Sequence, residues 1–137
     1  MAGTTLVNAL AGKVVVMVVD DDDAVRHVTM RALESFGYET IGAADGFEAG
    51  DRFSSEHQYI DCVIIDMSMP GKDGEETFRS LREIDPAVPA VLASGHSVEE
   101  MQARFAGLGF AGHLQKPFNL SELNAAVRGI IGTRTSK

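Results

Sequence analysis

The 137-residue chain, 45% hydrophobic, has room for one domain with a sizeable core. Its 12 Lys and Arg against 20 Asp and Glu give a formal net charge of -8, which opposes direct binding to nucleic acid or to anionic membranes. The single cysteine, Cys62, excludes an internal disulfide and a cysteine-rich zinc site; with no leader-like pattern in "MAGTTLVNALAGK" and no membrane-spanning apolar run, the expected location is cytoplasmic.

The segment "VVVMVV", residues 14–19, is apolar on both alternating faces and predicts a strand covered on both sides, as in a parallel sheet between helices. It runs into four aspartates, Asp20 to Asp23. "DDAVRHVTMRALESFG" places Val25, Val28, Leu33 and Phe36 near helical spacing, with Gly37 as the stop and Asp22 and Asp23 as first-turn anions favoured by the helix dipole. "YETIGAA" alternates as a second strand, and "GFEAGDRFSSEH" is a second helix weakened by Gly50. "YIDCVIID" reads as a third strand with Cys62 as a buried thiol. "DGEETFRSLREID" carries Phe78, Leu81 and Ile84 at helical steps before Pro86 and Pro89. "AVLAS" is a strand, "SVEEMQARFAGLG" a helix, "FAGHLQ" a strand, and "NLSELNAAVRGIIG" a closing helix capped by Asn119 or Ser121. His27 and His57 read as helix-surface residues.

Five βα units with short connections predict the α/β class: right-handed crossovers and a single doubly wound parallel sheet. One domain is expected over 13–132, with loose segments at 1–12 and 133–137.

The residues at the carboxyl ends of the predicted strands are Asp20 and Asp21, Asp66, Ser94 and Lys116. In open parallel sheets these ends border the ligand crevice. Carboxylates packed together repel, and a hard divalent cation such as Mg²⁺ relieves that repulsion. Such a site suits phosphoryl transfer: Asp66 as nucleophile forming an aspartyl phosphate, Lys116 neutralising one phosphoryl oxygen, and Ser94 donating to another. Taken singly, each piece has a bland reading as a turn, a cap or, for Met67 and Met69, core filling. The conjunction at the right strand ends favours the chemistry.

Over Lys13 to Gly132 the sequence resembles the receiver domain of two-component response regulators. The matching motifs are "VVDDDDAVR", "VIIDMSMPGKDG", "AVLASGH" and "LQKPF". The resemblance implies a flavodoxin-like sheet of order 2-1-3-4-5 and a phosphoacceptor, Asp66, charged by a phosphohistidine of a histidine kinase or histidine phosphotransfer domain. It implies Mg²⁺ held by Asp21 directly, by Asp20 through water, by Asp66, and by the backbone carbonyl of Ser68. It further implies that Ser94 moves toward the phosphoryl group while Lys116 pairs with it, and that Ser68 and His96 tune dephosphorylation. The switch aromatic of the family falls at His113, where Phe or Tyr is usual; an imidazole with an ordinary pKa of about 6.5 resists burial when charged. Such a domain catalyses only its own phosphorylation and dephosphorylation. "MPGKDGEETFRSLREIDP", "LASGHS" and "GLGFAGHLQKPF" look most like C-terminal receivers of hybrid sensor histidine kinases. The implied output surface, for partners or for a phosphorylation-dependent homodimer, is the fourth helix, fifth strand and fifth helix.

Two other readings compete. Asp21, Asp23 and Val25 satisfy the D-x-D-x-[TV] pattern of haloacid dehalogenase-like phosphatases with Asp21 as nucleophile, but no second acidic pair follows the lysine and "DMSMPG" goes unexplained. A phosphorylation-independent interaction module is the other, opposed by the competent residues at all five key positions.

Overall fold

Strand-forming runs of Val and Ile alternate with amphipathic segments, and the chain folds accordingly. The computed structural model describes residues 12–135. In chain order the elements are β1 (Val15–Val19), α1 (Asp23–Ser35), β2 (Glu39–Ala43), α2 (Gly46–Glu56), β3 (Cys62–Asp66), α3 (Gly74–Ile84), β4 (Ala90–Ser94), α4 (Val98–Arg104), β5 (Gly112–Gln115) and α5 (Leu120–Thr135), with a 3₁₀ turn at His57–Tyr59. All strand pairs are parallel in the order β2-β1-β3-β4-β5. The expected loose ends lie outside the described residues, apart from Gly12 and the last turn of α5.

Both faces of the sheet are covered, which explains the uninterrupted apolar strands. Val15, Met17, Val19, Val63 and Ile65 pack with Phe53, Phe78 and Leu81 from α2 and α3. Val16, Val18, Cys62 and Ile64 pack with Leu33, Leu123 and Val127 from α1 and α5. Each such large side chain, fully buried, contributes about 1.5–3 kcal/mol of transfer free energy.

Local chemistry sets the helix starts. Asp22 lies just outside α1 as its N-cap, accepting the Val25 N–H at 3.1 Å, so only Asp23 stands in the first turn. Asp73 and Glu76 form a reciprocal capping box on α3, and Ser97 and Glu100 form another on α4. Asn119, not Ser121, caps α5, accepting the Glu122 N–H at 2.8 Å.

Four expectations need correction. Val28 is 68% exposed, because the buried stripe of α1 runs through Thr29, Ala32 and Leu33. α4 stops at Arg104, and Gly107 and Gly109 follow with φ of 84° and 91°, a region that glycine enters without steric cost. β5 begins at Gly112, two residues later than "FAGHLQ" implies. His57 is half-buried, its ring 5.8 Å from that of Phe53.

An acidic pocket at the carboxyl edge of the sheet

Register brings the site together. Val19 pairs with Ile65, which sets Asp20 level with Asp66; Asp66 pairs with Ala93, and Ser94 with Gln115, next to Lys116. Asp20, Asp66 and Ser94 are buried, with Asp66 only 7% exposed, while Asp21 is exposed. One carboxylate oxygen from each of Asp20, Asp21 and Asp66 lies within 4.8 Å of the others. This all-oxygen donor set fits a hard divalent cation.

Lys116 bridges the two buried acids, its Nζ donating to Asp20 Oδ2 at 3.0 Å and Asp66 Oδ1 at 3.1 Å. Burial pushes the Asp66 carboxyl up from 3.8 to about 6; Lys116 pulls it down, and the charges of Asp20 and Asp21 add to the rise. Burial pulls the Lys116 ammonium down, but the hydrogen bonds and charges of the two aspartates together outweigh it and leave the group above its ordinary 10.5. The Lys116–Pro117 peptide is cis.

The backbone around the phosphoacceptor candidate is tightly enclosed. A Cβ at Gly74, the first residue of α3, would lie 2.7 Å from the Asp66 carbonyl oxygen and 2.8 Å from Met67 Cα. Only glycine lets α3 start this close to β3.

The remaining predicted residues sit farther out. Ser94 Oγ accepts the backbone N–H of His96 at 3.1 Å, so the hydroxyl is held by its own loop. Ser68 and His96 line one cleft together with Arg104 and Phe105, and His96 Nδ1 is 3.7 Å from Glu100 Oε2. His113 is half-buried beside Leu92, with its ring 6.2 Å from Phe110; burial pushes its imidazole below the ordinary 6.5, which keeps it neutral near pH 7. Phe110 in turn stacks on Phe78 at 4.2 Å and meets Phe105 edge-on at 6.0 Å. Sequence reasoning missed Phe110, read only as the first residue of a strand, and Arg26, which donates to the Asp20 carbonyl but on a helix pattern looks like a surface residue.

The chain belongs to the response regulator receiver domain family, whose profile matches residues 16–128. It is accordingly a receiver domain of two-component signal transduction. Response regulator MprA of Mycolicibacterium vanbaalenii is 42% identical over 123 residues, covering 88% of this chain and 51% of that protein. Sensor kinase CckA of Brucella abortus is 34% identical over 122 residues, covering 89% of this chain and 13% of that protein. Response regulator TrrA of Thermotoga maritima, solved in complex with Mg²⁺ and BeF, has a TM-score of 0.76 at 28% identity and covers 85% of this chain and 98% of that one. The chain thus spans about half, or much less, of the curated relatives it matches. Family membership sets aside the phosphatase reading, and Asp23, second acid of that pattern, stands 77% exposed against Arg26. Among the described residues no helix is long and apolar enough to cross a membrane.

Proposed function

We propose that Asp66 is the phosphoacceptor, charged by a phosphohistidine on a histidine kinase or phosphotransfer domain. The observation that carries this reading is the buried Asp66 carboxylate held by Lys116 within a three-carboxylate donor set. An Asp66 oxygen forms the new P–O bond as the P–N bond breaks; the imidazole nitrogen leaves with the electron pair and takes a proton from solvent. Asp20, Asp21, Asp66 and the Ser68 carbonyl hold Mg²⁺, which when bound supplies the positive charge that offsets the carboxylates and the transferring phosphoryl oxygens. Lys116 then moves its ammonium onto a phosphoryl oxygen. Ser94 gives up the His96 N–H and donates to another, coupling the site to α4 and to the ring at His113 by about 1–3 kcal/mol. Ser68 and His96, which line the same cleft, set access of water to the acyl phosphate.

Lys116, which holds Asp66, also lines an apolar groove with Ala24, Val28, Thr29, Pro117 and Phe118. We assign it to an apolar helix face of the donor. Val28→Asp is expected to slow transfer from a phosphorylated kinase or phosphotransfer domain far more than labelling by acyl phosphate. The similarity to CckA supports a hybrid-kinase setting and the similarity to MprA a response regulator with its own output region. Output through α4, β5 and α5 as a dimer predicts self-association on phosphorylation, and an unchanged elution volume counts against it.

Intact-mass analysis after incubation with an acyl-phosphate donor tests the core of the reading. One Mg²⁺-dependent phosphoryl adduct is expected on the wild type and none on Asp66→Asn. Absence of an adduct with both acyl phosphate and a phosphorylated kinase partner would return the chain to the interaction-module reading.

A further inference from the structure

The geometry points to Arg26 as a positioning residue for the metal site, an inference that rests on the Mg²⁺ reading above. Its guanidinium leaves the surface of α1 and turns back over the β1 end: Nη1 donates to the Asp20 carbonyl at 2.7 Å, and Nη2 donates to Asp23 Oδ1 at 2.6 Å. The side chain is 13% exposed, well below what an ordinary helix-surface arginine shows. Its stem lies over Gly42 on β2 beside the Met30 thioether: a Cβ there would stand 2.8 Å from Met30 Sδ and 3.5 Å from Arg26 Cδ. The stem therefore has a fixed bed as well as two fixed ends.

The carbonyl that Arg26 grips belongs to the peptide joining Asp20 to Asp21. That unit is planar, so fixing its oxygen fixes the plane and with it the Cα from which the exposed Asp21 carboxylate projects. The other polar groups of Asp20 are already engaged: its N–H donates to Ala43 O at 3.1 Å, Oδ1 accepts the Asp22 N–H at 2.9 Å, and Oδ2 accepts Lys116. Arg26 completes that set, and it is the member that acts on the link to Asp21. Outer groups that orient metal ligands commonly affect affinity by tenfold or more.

The sign of the effect separates positioning from plain charge. Arg26 places a cation beside an acidic cluster, so if electrostatics alone mattered, its removal would tighten Mg²⁺ binding. Positioning predicts the reverse.

Calorimetric titration of the whole chain with Mg²⁺ tests this on the wild type, Arg26→Met and Asp21→Asn, with urea midpoints recorded alongside. Arg26→Met keeps an apolar stem over Gly42 and is expected to raise the Mg²⁺ dissociation constant about tenfold. Equal or tighter binding by a folded Arg26→Met, with binding lost in Asp21→Asn, overturns the proposal and leaves the metal site standing. Undiminished binding by Asp21→Asn overturns the metal site and the proposal with it. Should Arg26→Met fail to fold, Arg26→Lys, which keeps charge and stem but lacks the fork, decides: weaker binding supports positioning, and unchanged binding overturns it.

Discussion

At the β1 end of the site every polar group of Asp20 is engaged, by Ala43, Arg26, the Asp22 N–H and Lys116. At the β4 end the Ser94 hydroxyl is held by one bond from its own loop. The helix that follows, α4, has 7 residues, and two glycines of positive φ come after it. The segment leading into β5 is fastened across to α3 by Arg82, which donates to Gly109 O at 3.2 Å and Val88 O at 2.8 Å, and by the stack of Phe110 on Phe78. The Asp20 end is held by many contacts, whereas the Ser94 end is tied by few. One edge of one sheet therefore carries a rigid half and a compliant half.

The most severe way to break the rigid half is Asp66→Asn, which removes the proposed phosphoacceptor and is expected to abolish labelling, as read by intact mass. Next comes pH. With its folded pKa at about 6 against 3.8, Asp66 binds a proton in the folded state that the unfolded chain has already released. The stability this proton provides is present below about pH 4 and is lost as pH rises through 6, by up to about 3 kcal/mol. Urea midpoints of the metal-free chain between pH 4 and 7 should show that fall, and Asp66→Asn or saturating Mg²⁺ should flatten it.

Gly74→Ala drives a Cβ into the Asp66 backbone and should cost about 1–3 kcal/mol while also slowing labelling. Arg82→Met probes the compliant half. Loss of its two carbonyl bonds should cost about 1 kcal/mol and leave labelling of Asp66 intact. If Arg82→Met slowed labelling as much as Gly74→Ala, the contrast between the halves would not hold.

The site was legible in the sequence because each reactive residue follows an apolar run, and a parallel sheet converts that placement into convergence at one edge. Asp20, Asp21, Asp66, Ser94 and Lys116 could thus be named from strand ends alone. Asn119 and Ser121 were indistinguishable as caps, since both types accept N–H groups and only the chain direction at the loop decides between them. Val28 illustrates what periodicity misses: α1 buries Thr29 with Ala32 and Leu33, and the valine stands exposed at the groove beside Lys116. Arg26 was hidden for a related reason. A helical arginine is ordinarily solvated, and nothing in the linear pattern shows that Gly42 on β2 leaves room for its stem and the Met30 side chain together.

Lys116 carries a consequence for how the chain responds to its surroundings. Because its ammonium stands between Asp20 and Asp66 in the resting fold, the acidic cluster has a built-in counterion, and structural integrity does not wait on a bound ion as it does in small metal-folded domains. A chelator should therefore silence the chain without melting it. On the Mg²⁺-dependent reading proposed above, removal of the ion leaves a folded, unresponsive pool ready for immediate reuse.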